Sequence, residues 1–256
     1  MLNKICFFLL VLLVGSCQNT QPQKATSTNS SGDLKSRQVI EDAIRIHGGS
    51  NYQVHEIEFD FRERHYRSLR ENGHYQYERI FTDSTGQKIR DVLTNDSFVR
   101  YINGSQAEIT DERKKAYSSS VNSVIYFALL PYFLKDPAVH SEYVGEVSIH
   151  GEPYHKVQIT FQQEGGGKDF EDQFLYWFHR DQLTMDYLAY NYKTDGGGAR
   201  FREAINPRVV NGIRFADYVN YKPVEETLYI MNFDSLFEAG NLDSLSLIAT
   251  ENIEVK

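Results

Sequence analysis

Two histidine groups are the first residues in this chain that could do chemistry. His150 and His155 flank the turn His150-Gly151-Glu152-Pro153, and His179 and Asp181 share the turn His179-Arg180-Asp181-Gln182. Imidazoles facing each other across a hairpin can ligate zinc, but neither spacing matches a recurrent zinc pattern. Hydrolytic signatures are missing as well: there is no Gly-x-Ser-x-Gly elbow and no His-Glu-x-x-His helix. The glycine triplets Gly165 to Gly167 and Gly196 to Gly198 lack the lysine and serine of a phosphate-cradling loop and read as long mobile hairpin loops. Asp186 sits in a strand with Met185 and Tyr187, and Thr184, Leu188 and Tyr190 share its face. That pattern predicts a half-buried structural acid paired with an arginine such as Arg202. Arg62, Arg64, Arg67, Arg70 and Arg79 form a basic cluster whose guanidinium forks could hold an anionic head-group. Glu56, Glu58, Asp60 and Glu63 lie close enough to neutralise it as a solvated strand face. No catalytic set, cofactor site or metal site is expected.

The elements that would position these groups are mostly strands. Ile57, Phe59 and Phe61 alternate with Glu58, Asp60 and Arg62, the period of a strand with one buried face. Turn signals recur at Glu71-Asn72-Gly73, Asp83-Ser84-Thr85-Gly86, Thr94-Asn95-Asp96 and Asn103-Gly104, which is the signature of a meander. The alternation resumes in Val157, Ile159 and Phe161, then in Phe174, Tyr176 and Phe178. It continues in Met185 and Tyr187, in Ile213 and Phe215, and in Leu228 and Ile230. Two helices are predicted. One runs from about Leu34 to His47, with Asp33 as N-cap, an apolar stripe of Val39, Ile40, Ala43, Ile44 and His47, and Gly48-Gly49 as its left-handed end. The other follows Ser118-Ser119-Ser120 and spans Val121 to Leu134, apolar on nearly all sides, with Pro131 ending or kinking it.

Composition narrows the partners. The chain has 256 residues and a net charge of -8, which argues against nucleic acid. Lys4 precedes an apolar run from Ile5 to Val14, the layout of an export leader. The run is roughly half the length of about 20 residues that a spanning helix needs. Val14-Gly15-Ser16-Cys17 resembles the lipobox of bacterial lipoproteins, which implies cleavage before Cys17 and lipidation of its thiol. The only other cysteine, Cys6, leaves with the leader, so disulfides and thiolate sites are excluded from the folded part. The polar stretch Gln18 to Gly32 cannot offset its ordering entropy and reads as a flexible tether. The expected domains are a signal peptide over 1–16, the lipidated cysteine and tether over 17–33, and one domain over 34–256.

A first helix ending in His47-Gly48-Gly49, a long antiparallel meander interrupted by an apolar helix, and the later Asn211-Gly212-Ile213-Arg214-Phe215 with Asp217 and Tyr218 together resemble the LolA/LolB-like superfamily, in its uncharacterised lipoprotein branch. The resemblance implies a mainly β fold with few helices (α+β). A strongly curved antiparallel sheet, a half-barrel, would carry the N-terminal helix, with the apolar helix in its concavity. It implies a cavity for acyl chains or another apolar ligand, lined by residues such as Phe59, Phe61, Ile125, Phe127, Leu130, Phe133, Phe161, Tyr176, Phe178, Tyr187 and Phe215. It further implies a non-enzymatic carrier or receptor anchored in the bacterial envelope, at the outer membrane facing the periplasm. The alternatives are a filled-core module that binds an envelope protein partner or senses envelope state, and an envelope hydrolase.

Overall fold

The computed structural model describes residues 31–54, 56–162, 172–193 and 196–256, without the side chains of residues 31, 32 and 54. The leader, Cys17, most of the tether and the triplet Gly165 to Gly167 lie outside the described residues.

The first helix, α1, runs Ser31–His47, three residues earlier than its apolar stripe suggested. Its stripe of Val39, Ile40, Ala43 and Ile44 is buried, and Gly49, at φ 56, takes the left-handed end while its amide bonds Ile44 O at 2.9 Å. Gly48 is a close approach: a Cβ there would sit 2.8 Å from the Tyr52 ring. A short helix, α2, follows over Asn51–Val54.

Six strands come next: β1 Ile57–Phe61, β2 Arg64–Glu71, β3 His74–Thr82, β4 Lys88–Thr94, β5 Phe98–Ile102 and β6 Ser105–Gln106. Four of their five turns are the ones the sequence marks, with Asn72, Gly73, Gly86, Asn103 and Gly104 all at positive φ, while the β1–β2 turn at Arg62 and Glu63 carries no such signal. Helix α3 then spans Asp111–Ala128, and a single 3-10 turn covers Tyr132–Lys135. The remaining elements are β7 Val139–Ile149, β8 Glu152–Phe161, β9 Phe174–His179, β10 Met185–Tyr192, β11 Gly198–Val210, β12 Ile213–Pro223, α4 Phe233–Glu238, β13 Leu242–Ile248 and β14 Glu251–Val255. Gly198 thus opens a strand instead of extending a loop. The expected strand at Leu228 and Ile230 is irregular: Leu228 is exposed and Ile230 is buried beneath α4.

The wall of the half-barrel is built as two seven-stranded antiparallel sheets, ordered β14-β1-β2-β3-β4-β5-β6 and β13-β12-β11-β10-β9-β8-β7. The chain passes from the first sheet to the second between β6 and β7 and returns between β13 and β14. Arg208 stitches that crossing by bonding Asp217 at 2.9 Å and the Thr250 carbonyl, while Asn211 Nδ2 donates to Val255 O at 3.1 Å.

Helix α3 lies in the concavity, with its buried Val121 and Ile125 in the main core. Its start differs from the sequence reading. Thr110 is the N-cap, its Oγ1 accepting from Arg113 N at 3.4 Å, and Asp111 and Glu112 favour the first turn. Ser118 and Ser123 sit mid-helix because their hydroxyls bond back to Lys114 O and Ser119 O. The helix ends at Ala128, before Pro131, so Tyr132, Phe133 and Leu134 enter the core from the 3-10 turn. Among the described residues no helix is long and apolar enough to cross a membrane.

Candidate functional site

Ten of the eleven residues expected to line a cavity lie in or against the main core, on the concave side. Phe59, Ile125, Leu130, Phe133, Tyr176, Phe178 and Phe215 are buried members of that core, and Phe61, Phe127 and Phe161 pack against it. Tyr187 is placed on the opposite face, in a second cluster with Trp177, Phe201 and Phe233. The reason is a bulge. The β9–β10 register shifts between Met185 and Tyr187, so the inward residues of β10 are Met185 and Leu188. A strict period of two puts Tyr187 on the wrong side.

Space remains beneath the C-terminal half of α3. A cavity of about 330 Å³ opens there. Its roof is Ser123, Val124, Phe127 and Ala128 of α3, and Phe61 and Arg62 at the end of β1 form its rim. Its floor is the second sheet: Tyr190 of β10, Arg202 of β11, Ala216, Tyr218 and Asn220 of β12, and Ile248 and Thr250 at the end of β13. Small residues at Ala128 and Ala216 leave room that a larger side chain would fill. Of the expected lining, Phe61 and Phe127 border this cavity, while the eight other concave-side residues fill the core beside it.

The floor is organised in cross-strand rows. Leu188, Arg202, Asn220 and Ser246 are register partners across β10, β11, β12 and β13, and Ala204, Tyr218 and Ile248 form the next row. The Arg202 guanidinium donates from Nη2 to the Tyr190 hydroxyl at 3.0 Å and lies 4.3 Å from the centre of the Phe127 ring. Its Nε and the Oδ1 of Asn220 are buried without a hydrogen-bond partner. Burial pushes the Tyr218 phenol up to about 12, so its hydroxyl keeps its proton at neutral pH.

The other groups singled out from the sequence have structural partners. Asp186 is held by Thr184 Oγ1 at 3.0 Å, Tyr154 at 3.4 Å and Arg214 at 3.4 Å, so its arginine is Arg214 and not Arg202. Burial raises its carboxyl above the ordinary value. His150 approaches Glu238 at 3.3 Å, whereas His155 bonds the Tyr143 hydroxyl at 3.0 Å. His179 Nδ1 accepts the amides of Asp181 and Gln182, a turn cap. Among the described residues no group of three or more His, Cys, Asp or Glu is placed to hold a metal ion.

The arginine cluster is split up. Arg67 bonds Glu56 and lies 3.3 Å from Glu58 and 3.7 Å from Glu78. Arg79 is buried against Asp91 at 2.6 Å. Arg70 bonds the Tyr77 hydroxyl and lies over the rings of Tyr132 and Phe133, and Arg64 lies over Phe81. Only Arg62 reaches the cavity. Sequence reasoning missed the Arg202–Asn220 row, because strand partners cannot be read from one sequence. It also missed the second core, where Lys156 Nζ meets Asp234 at 2.7 Å beneath α4.

A family model matches residues 24–251. The chain belongs to DUF6503, a family of unknown function. No curated protein matches it. Among solved structures it is similar to a LolA superfamily protein from Nitrosomonas europaea, with 9% identity and a TM-score of 0.48, covering 86% of this chain and 93% of that one. It is also similar to a putative outer membrane lipoprotein-sorting protein domain from Vibrio parahaemolyticus, at 7% identity, TM-score 0.46, and 88% and 93% coverage. A DUF1329 family protein from Desulfovibrio piger gives 11% identity, TM-score 0.43, and 86% and 92% coverage.

Proposed function

We propose that this chain is a non-enzymatic binding protein of the bacterial envelope, tethered through lipid on Cys17, whose half-barrel holds a lipid or another ligand with an apolar body. The observation that carries this reading is the open cavity of about 330 Å³ between α3 and the second sheet, beside the main core. Its volume is near the lower end of small-molecule sites, about 300 to 1,000 Å³. Val124, Phe127, Ala128, Ala216 and Ile248 give it apolar walls. Each methylene moved from water into such a site contributes about 0.8 kcal/mol. Anchoring at the outer membrane, facing the periplasm, is part of the same proposal and rests on the Val14 to Cys17 segment.

Native mass spectrometry of the full chain purified from bacterial membranes tests it. The expected result is a stoichiometric extra mass that organic extraction removes, beyond the mass of the covalent lipid. A clean mass with no such adduct, together with a specific crosslinked envelope protein, would replace this reading with that of an interaction module.

A further inference from the structure

The cavity is cationic inside an acidic protein. The chain carries 35 Asp and Glu against 27 Lys and Arg. Yet the cavity lining contains two arginines, Arg202 inside and Arg62 at the rim, and no carboxylate. Among the described residues no carboxylate forms an ion pair with Arg202. A guanidinium taken partly out of water without an anion leaves its desolvation uncompensated. The fold already bears part of that cost here, so an anion entering the cavity meets a cation that is already partly desolvated.

The donors around it converge. Arg202 Nε is buried with no acceptor, and the neighbouring Nη2 is oriented by Tyr190. Asn220 is the direct register partner of Arg202, with Ser246 beside it, Nδ2 to Oγ 3.5 Å. Turning the Asn220 amide about its terminal torsion lets Oδ1 accept from the Ser246 hydroxyl and points the NH₂ group at the cavity. The protonated Tyr218 hydroxyl stands in the adjacent row. The rest of the lining is mostly apolar, with Phe61, Val124 and Ala128 facing the sheet and Ala216 and Ile248 on the sheet itself, and the hydroxyls of Ser123 and Thr250 beside them.

We infer that the cavity takes a single-tailed amphiphile with an anionic head, the head oxygens accepting from Arg202 and Asn220 and the tail lying along Val124, Ala128 and Ile248. The inference rests on the proposed binding function and adds the class of ligand. One tail is what about 330 Å³ accommodates. Carboxylate and phosphate heads share the required chemistry, since both accept from a guanidinium fork.

Calorimetric titration of the full chain with dodecanoate and dodecyl phosphate below their micelle concentrations, and with dodecanol below its solubility limit, separates the parts of the claim. The expected result is that at least one anionic ligand binds about tenfold or more tighter than dodecanol, the scale of one hydrogen bond to a charged group. Whichever anion binds tighter identifies the head. Arg202→Met should bring the anion down to the affinity of the alcohol while dodecanol binding is kept, which also shows that the variant is folded. Equal affinity of the wild type for alcohol and anions, or an anion preference that survives Arg202→Met, overturns the anionic head and leaves the cavity reading in place. No binding of any of the three overturns both.

Discussion

Two arginines, Arg79 buried and Arg202 half-buried, meet helix α3 from opposite sheets, and they are held in opposite ways. Under its N-terminal half, Arg79 belongs to the inner-face row Phe59, Tyr66, Arg79, Asp91, Arg100 across β1 to β5. Asp91 accepts from Arg79 at 2.6 Å and from Arg100 at 2.6 Å, and Arg79 Nη1 reaches Ser120 Oγ at 2.7 Å. Arg100 in turn lies 3.5 Å from the centre of the Tyr117 ring. Every charge there is answered, and the helix is seated on the result. Under the C-terminal half, Arg202 has a phenol and a ring for neighbours, no carboxylate, and open space beside it. The first arrangement fixes α3 to its sheet. The second leaves a cation available to something that arrives from outside.

The largest effect should come from breaking the paired side. Asp91→Ala strands Arg79 and Arg100 in a buried site where Asp91 itself is 0% exposed. Removing one partner of a buried pair costs roughly 3 to 5 kcal/mol. Chemical denaturation should show that loss, and a loss below about 1 kcal/mol would mean the row does not hold α3. Arg202→Met is the matching change on the other side. It strands no carboxylate, so the same measurement should move by about 1 kcal/mol or less.

Much of this contrast was hidden in the sequence for a definite reason. The turns at Asn72-Gly73 and Asn103-Gly104 were legible because both residues take positive φ, and few residue pairs tolerate that. The inward faces of β1, β8 and β9 were legible because Phe59, Val157, Ile159, Tyr176 and Phe178 keep a strict period of two. The same rule failed at Tyr187, where one bulged residue reverses the face. It was also silent about the outer face of β9, where Leu175 and Trp177 pack into the second core and leave all six residues of the strand buried. The run Ser118-Ser119-Ser120 imitated a helix start, although hydroxyls bonded to the preceding turn are equally at home inside a helix. Arg202 could be assigned to Asp186 or to a cavity only after the register of four strands was known.

A pH-dependent effect arises at His47, the last residue of α1. His47, 2% exposed, accepts the Met185 amide on Nε2 at 3.0 Å. Burial, reinforced by the charge of Arg214, holds its imidazole down to about 3. The unfolded chain protonates this group near 6.5, so it binds more protons than the folded chain between those values. The contribution of His47 to stability should therefore be lost progressively as the pH falls from 6.5 toward 3, by at most about 1.4 kcal/mol per pH unit. His47→Gln keeps an acceptor for Met185 but has no proton to take up. The difference in stability between wild type and variant should consequently shrink or reverse as the pH is lowered. A difference that stays constant over this range would show that His47 titrates normally in the folded chain.

The claim that a ligand sits beneath the C-terminal half of α3 is tested most directly by filling that space and leaving its charges alone. Ala216→Phe adds an aromatic ring beside Phe127 and Tyr218 while Arg202 and Arg62 remain. The measurement is the binding isotherm of a fluorophore carrying a neutral dodecyl chain, on the full chain, for wild type and variant. The account predicts one saturable site in the wild type and a loss of about tenfold or more in the variant, equivalent to about 1.4 kcal/mol, with cooperative thermal unfolding retained. An unchanged isotherm in a folded Ala216→Phe variant would contradict it.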